Sequence, residues 1–169
     1  MIAASAGITK SGVYHHVESK EELLERGVER VLERISTLFD EPQARSGTPG
    51  HRLRHIIGRA VEVELSMADE AAVFVRLVGN TETEKRIVAG RRELDRRVAD
   101  LVEQAAAAGE VRADLDPMLV SKLMFGMTNW LIEWFDPKGP IQPQEAADVV
   151  RTLLFDGLSY STSNVERQS

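Results

Sequence analysis

Side chains that can hydrogen-bond a phosphate or a base edge are concentrated in one short stretch, from Gly7 to Leu24. Hydroxyl, ammonium, phenol and imidazole groups can all donate to phosphate oxygens, and lysine also donates to the acceptor edge of guanine. Close spacing of such groups favours a surface that contacts DNA. The candidate DNA-binding residues are Thr9, Lys10, Ser11, Gly12, Tyr14, His15, His16 and Lys20.

A pair of short helices would position these groups. Residues 2–6 read as the end of a first helix, and Gly7 permits the backbone conformation that ends it. Ile8 would pack between the two helices, Thr9 would cap the second, and Val13 would anchor it. The pattern is that of a helix-turn-helix, whose second helix enters the major groove.

The bulk composition is compatible with a local DNA-binding patch on an acidic body. The chain has 169 residues, of which 43% are hydrophobic and 28% charged, and a net charge of −6. It contains no cysteine, which excludes disulfides and thiolate metal sites. No apolar run approaches the roughly 20 residues of a spanning helix, and no signal peptide is recognisable. We therefore expect a cytoplasmic protein without membrane contact.

Helical periodicity dominates the rest of the sequence. Ser19 and Glu22 have capping-box spacing and would begin a long helix that continues to about Phe39. Prolines and glycines predict a loop over 40–50. Further helices are predicted from Thr48 to about Met67, over 70–79, 81–109 and 118–135, and from Gln144 to about Tyr160. The expected fold class is all-α, a partial helix-turn-helix unit followed by a larger helical bundle.

The run IAASAGITKSGVYHHVESKEELL resembles the DNA-binding signature of TetR-family transcriptional regulators. The shared features are Ile-Ala before the turn, Ala-Gly at the turn, Thr9, Tyr14 and the Ser-Lys-Glu-Glu-Leu-Leu run. The resemblance implies a regulator and not an enzyme: a repressor that a small molecule releases from palindromic operator DNA. It also implies a partial DNA-binding domain at 1–20, and a linking helix with a ligand-binding and dimerisation domain at 21–169.

The chain departs from the family pattern at its start. Family members have another helix before the position of Ile2, so the chain as given begins inside the second helix of the motif. Without that helix, apolar side chains such as Val13 and Val17 would lose burial. We therefore expect the 169-residue chain to bind DNA poorly.

The segment from Met118 to Phe135 is apolar over most of its circumference. Its polar positions Lys122, Asn129 and Glu133, with Gly126 among them, form a single stripe. A helix of this kind is buried on more than one side, so we expect one side to face its own core and another a second subunit. Pairing with the last helix would form a two-fold, four-helix homodimer interface, as the resemblance implies. A monomeric bundle core is the rival interpretation.

Aromatic and sulfur-containing side chains near this helix could line an adaptable apolar pocket. The candidate ligand-binding residues are Phe74, Leu77, Met124, Met127, Trp130 and Trp134, and the alternative is that they fill a solid core. The segment over 129–158 is similar to that of family members that respond to acyl-CoA thioesters, which implies such an effector. Its anionic part would need arginines, for which Arg76, Arg86, Arg91, Arg92, Arg96 and Arg97 are available unless they form a solvated helix face.

A different chemistry remains open in the same region. His51 and His55 have the i, i+4 spacing that can hold zinc, although HRLRH lacks the glutamate of a metalloprotease. Glu64 continues an apolar helix face, where it would either mark a ligand contact or lie in solvent through register drift, the simpler interpretation. The alternatives are thus an all-α metal-binding or enzymatic bundle using these three residues, or a helical interaction module that has lost DNA binding. No metal or other cofactor is predicted.

Overall fold

The computed structural model describes residues 20–158, and all the regular secondary structure in this range is helical. The all-α prediction is therefore confirmed. None of these helices is long and apolar enough to cross a membrane. Outside the described residues lie the candidate DNA-contacting residues Thr9, Lys10, Ser11, Gly12, Tyr14, His15 and His16, the Ser19 cap and the side chain of Lys20.

Seven α-helices make up the described range. They are α1 (Lys20–Thr37), α2 (Pro42–Arg45), α3 (Pro49–Ser66), α4 (Ala68–Arg76), α5 (Glu82–Ala107), α6 (Pro117–Leu131) and α7 (Pro143–Leu158), with a turn of 3₁₀ helix (Leu38–Asp40) after α1.

The predicted helix starts are formed by side-chain caps. Thr48 accepts a hydrogen bond from the amide of His51 before α3, and Thr81 accepts one from the amide of Glu84 before α5. Asp116 does the same before α6, with a donor–acceptor distance of 2.7 Å. Each cap satisfies an amide that has no partner within its helix, which is why these polar residues begin the helices.

Two boundaries differ from the sequence prediction. The expected loop over 40–50 contains α2, because Ala44 is buried in the core and its carbonyl accepts a hydrogen bond from Arg52 at 2.8 Å. The helix expected to reach Phe135 ends at Leu131, whose carbonyl accepts from the amides of Trp134 and Phe135. The apolar pattern continues through this turn, so periodicity does not reveal where the helix ends.

Two hydrophobic cores lie against α3. One joins α3 to α5, α6 and α7, and the other joins it to α1, α4 and α5. Phe39 and Phe125 pack against both. The first core includes Leu53, Ile57, Val98, Met124 and Val150, and the second includes Val31, Ile35, Phe74 and Ile87. Burying a large apolar side chain contributes about 1.5–3 kcal/mol, so both cores tie their helices to α3.

The helix that leads from the N-terminal region, α1, is closely packed on α5. Gly90 of α5 leaves room for Leu32, since a Cβ at position 90 would overlap the methyl groups of that leucine. Arg97 of α5 lies 3.8 Å from the centre of the Phe39 ring and donates to the Ser36 carbonyl at 3.4 Å. The end of α1 is therefore joined to the body by both apolar and polar contacts.

Candidate ligand-binding site

A cavity of about 310 Å³ lies among five helices, α1, α3, α4, α5 and α6. Its volume is at the lower end of the roughly 300–1,000 Å³ typical of small-molecule sites. It is lined by Ile35, Glu64, Phe74, Val75, Arg91, Leu94, Asp95, Lys122, Phe125, Gly126 and Asn129. Since these residues are spread over five helices, the cavity exists only in the folded chain.

The lining changes from polar to apolar with depth. Lys122 and Gly126 of α6 are exposed, and Asn129 on the same helix is half-buried. Ile35 and Phe74, from two other helices, are buried. The polar stripe expected on α6 thus faces the cavity over much of its length, and the interior is mainly hydrocarbon.

Glu64 is the polar residue among the fully buried residues of the lining. Its side chain is 1% exposed, so the simpler expectation that it lies in solvent is wrong. Its Oε2 is the one buried side-chain polar atom in the described range that has no hydrogen-bond partner. Burial raises the pKa of Glu64 to about 8, and its hydrogen bond with the Thr128 side chain opposes this rise, while the Thr128 hydroxyl donates to the Phe125 carbonyl at 3.1 Å. At neutral pH the carboxyl is therefore largely protonated.

Arg91 lines the cavity but is already bound to backbone. Its Nη1 donates to the carbonyls of Phe74 and Val75, both at 2.8 Å, and its Nη2 donates to that of Leu77 at 2.9 Å. These carbonyls belong to the end of α4, where they lack partners within the helix. Burial lowers the pKa of Arg91 from its ordinary value. We assign this arginine mainly to closing the end of α4.

Asp95 and Lys122 are the other charged groups of the lining. Burial raises the pKa of Asp95, and the positive charges of Lys122 and Arg91 oppose that rise. Lys122 lies on the exposed part of the lining, so it is placed to meet the outer part of a ligand.

Only one of the six predicted ligand-binding residues lines this cavity. Phe74 does, whereas Leu77 lines a separate depression of about 150 Å³ and Met124 is buried in the first core. Met127, Trp130 and Trp134, from which an aromatic pocket was expected, are exposed and do not line this cavity. Trp130 directly follows Asn129, so the two side chains lie about 100° apart around α6, and of the two only Asn129 lines the cavity.

The predicted arginine cluster is also dispersed. Arg76 pairs with Glu133, and Arg86 pairs with Glu29 at 3.0 Å. Among the arginines proposed for an anionic ligand, Arg91 alone lines the cavity in the described structure.

A second feature lies beside the polar stripe of α6, about a quarter-turn around the helix. Large apolar side chains of α6, α7 and the turn after α6 are exposed together, and Trp130 is 66%, Leu123 63% and Leu153 62% exposed. We call this the apolar face, and it comprises Leu119, Leu123, Met127, Trp130, Trp134, Val149 and Leu153. Exposed large apolar side chains grouped on two successive helices are typical of a protein–protein interface.

The two candidate zinc ligands do not form a metal site within residues 20–158. His55 Nε2 lies 2.6 Å from Glu41 Oε2, and Arg59 pairs with the same carboxylate. His51 contributes its backbone amide to the cap of α3. No group of three acidic or imidazole ligands occurs in the described part of the chain, so the metal-binding alternative gains no support there.

Comparison with known proteins relates this geometry to one family. Residues 46–158 match the family described as tetracyclin repressor-like, C-terminal domain. The HTH-type transcriptional repressor KstR2 of Mycolicibacterium smegmatis is 21% identical over 163 residues, which cover 95% of this chain and 80% of the relative.

Solved structures are similar over nearly the whole chain. A TetR-family regulator from Streptomyces coelicolor A3 is 42% identical, with a TM-score of 0.80 over 94% of this chain and 80% of the other. The structure of AibR with isovaleryl coenzyme A and operator DNA is 25% identical, with a TM-score of 0.69 over 91% of this chain and 84% of the other. The matched family domain, together with the likeness to the Streptomyces regulator, shows that the chain belongs to the tetracyclin repressor-like (TetR) family of transcriptional regulators.

Proposed function

We propose that the chain is a ligand-responsive repressor, a homodimer that binds operator DNA and releases it when a small molecule occupies the cavity. The observation that carries this proposal is the cavity itself, which places an unpartnered, buried carboxyl inside the helical body of a TetR-family chain. The repressor name of the KstR2 relative and the two ligands of the AibR complex support the same function.

The apolar face is the proposed dimer interface. Leaving side chains such as Trp130 and Leu123 in water is unfavourable, and pairing α6 and α7 with their two-fold mates would bury them. A symmetric dimer would also hold two DNA-reading helices about 34–36 Å apart, the repeat of the duplex.

Substitution in the apolar face tests the dimer. Leu123→Glu would place a charge in the buried interface, so we expect dissociation to monomer in analytical ultracentrifugation. Val78→Glu is the matched control, since Val78 is 75% exposed and lies outside this face. A dimer that survives Leu123→Glu at micromolar concentration would refute the interface.

Ile35 is the proposed link between ligand and DNA. It belongs to α1, which continues toward the N-terminal region, and it also lines the cavity. A ligand that presses on Ile35 would favour a different position of α1 and weaken operator binding. DNA would then weaken ligand binding by the same coupling free energy.

An acyl thioester is the proposed effector class. AibR was solved with isovaleryl coenzyme A, and a cavity of about 310 Å³ accommodates a short acyl group. The anionic part of the molecule would remain outside, where Lys122 offers a positive charge.

DNA binding is proposed for residues 1–20, with Thr9, Lys10, Ser11, Gly12, Tyr14, His15, His16 and Lys20 as contacts. The operator would be selected from genomic fragments at low salt, where phosphate contacts are strongest. Lys10→Ala should reduce the salt dependence of binding by about one counterion, and Lys138→Ala, in the loop before α7, should leave it unchanged.

Addition of isovaleryl coenzyme A completes the test, and we expect it to lower the affinity for the selected DNA. A dimer that selects no DNA even after the first helix of the family motif is added before Ile2 would contradict the repressor function and favour a helical interaction module instead.

A further inference from the structure

We infer that the effector carries a hydroxyl group at its buried end, and that Glu64 is the residue that binds it. The inference rests on the proposed function, because it concerns the chemistry of the same cavity.

The unpartnered oxygen of Glu64 is the first argument. The side chain is 1% exposed, lines the cavity, and has no hydrogen-bond partner for Oε2. Buried polar atoms in folded proteins almost always have a partner, since leaving one unsatisfied is costly. A ligand that enters the cavity with a hydrogen-bonding group can supply that partner.

The surrounding charges favour a neutral group over an ion. Burial raises the pKa of Glu64 to about 8, so the carboxyl is largely uncharged at neutral pH. An ammonium group would require an ionised Glu64 and would share the cavity with the positive charges of Arg91 and Lys122. An anionic group would share it with Asp95.

A hydroxyl fits Glu64 in either protonation state. It donates to a carboxylate oxygen, and it can also accept from a protonated carboxyl. A carbonyl oxygen can only accept, so its hydrogen bond would be lost whenever Glu64 is ionised, whereas that of a hydroxyl would persist.

The position of Glu64 places the hydroxyl at the far end of an apolar body. Phe74 and Leu94, which line the same cavity, are buried like Glu64, whereas Lys122 is exposed. A molecule that enters past Lys122 therefore meets hydrocarbon walls as well as the carboxyl. An acyl chain with a terminal hydroxyl has this distribution of groups.

Phenol and toluene provide a direct test, since they differ only in a hydroxyl against a methyl group. Their binding to the full chain would be followed by NMR, through the methyl signals of Ile35 and Leu94. We expect the phenol-to-toluene ratio of affinities to be about tenfold higher for the unaltered chain than for Glu64→Leu, the change given by one buried hydrogen bond. Glu64→Gln should keep the higher ratio, because an amide both donates and accepts.

Glu103→Leu is the matched control, since it removes an exposed carboxyl of α5 that does not line the cavity. It should leave the phenol-to-toluene ratio unchanged. If Glu64→Leu fails to fold, Glu64→Met takes its place, because methionine is unbranched like glutamate and its thioether cannot donate a hydrogen bond.

Three results would overturn the inference: the same phenol-to-toluene ratio in the unaltered chain and in Glu64→Leu, no binding of either compound, or tight binding of benzylamine that Glu64→Gln abolishes. The last would identify a cation as the partner of Glu64. These outcomes do not involve DNA. Release of DNA by isovaleryl coenzyme A, with a phenol-to-toluene ratio that does not depend on Glu64, would therefore remove this inference and leave the proposed function standing.

Discussion

Replacement of Glu64 by glutamine should flatten the dependence of folding stability on pH. Glutamine has nearly the same shape but does not titrate. Glu64 is fully buried, and its pKa rises from 4.5 to about 8 because burial disfavours the charged form. Any pH dependence lost with this substitution therefore reports the ionisation of one side chain.

The direction follows from proton binding. Below pH 4.5 the carboxyl is protonated in both the folded and the unfolded state, so the contribution of the buried, protonated carboxyl to the free energy of unfolding is fully present. Between 4.5 and about 8 the folded state holds a proton that the unfolded state has lost, so the free energy of unfolding falls as pH rises. The free energy of unfolding falls by at most about 5 kcal/mol over the whole range, and by about 3 kcal/mol between about pH 5 and 7.5.

Urea unfolding followed by circular dichroism measures this difference. Both proteins would be compared across this pH range at one protein concentration, because the proposed dimerisation would make stability depend on concentration. Asp95, whose pKa is also raised by burial, is present in both proteins, so its contribution cancels in the comparison. Parallel curves would refute the reasoning, since they would show that Glu64 is already ionised in the folded chain and must be solvated or paired.

Four other substitutions test the packing and capping. Gly90→Ala should lower the free energy of unfolding by about 1–3 kcal/mol, because its Cβ would overlap Leu32. Gly126→Ala, whose Cβ would meet nothing within 4 Å, should be neutral or raise it by up to about 1 kcal/mol, and equal thermal shifts in the two proteins would contradict this contrast. Arg91→Met should remove about 2–3 kcal/mol and speed amide exchange at the end of α4, since three carbonyls lose their donor. Thr48→Ala should cost about 1 kcal/mol in thermal unfolding through the lost cap, and an unchanged midpoint would argue against that cap.

Helix α6 shows where sequence reasoning succeeded and where it ended. The polar stripe with Lys122 and Asn129 was evident from spacing, and so was the need for two apolar contacts. The spacing did not show which side of α6 faces the cavity and which faces the surface. Periodicity measures the separation of residues around one helix and carries no information about neighbouring helices. The structure places the stripe against the cavity and Trp130 on the surface.

Glu64 illustrates the same limit in energetic terms. Its spacing from the apolar residues of α3 indicated burial, but exposure through register drift is the less costly arrangement for a carboxyl. The choice between the two depended on α1, α4, α5 and α6, which close over the position and leave Oε2 without a partner.

The sequence by itself determined the all-α class, the capped helix starts and the TetR resemblance, since these depend on residues close together along the chain. Thr48, Thr81 and Asp116 begin helices through contacts that span only three residues. The cavity, the state of Glu64 and the apolar face were decided by tertiary structure. Each depends on distances between helices far apart in sequence, and those distances are set by how the two cores pack around α3.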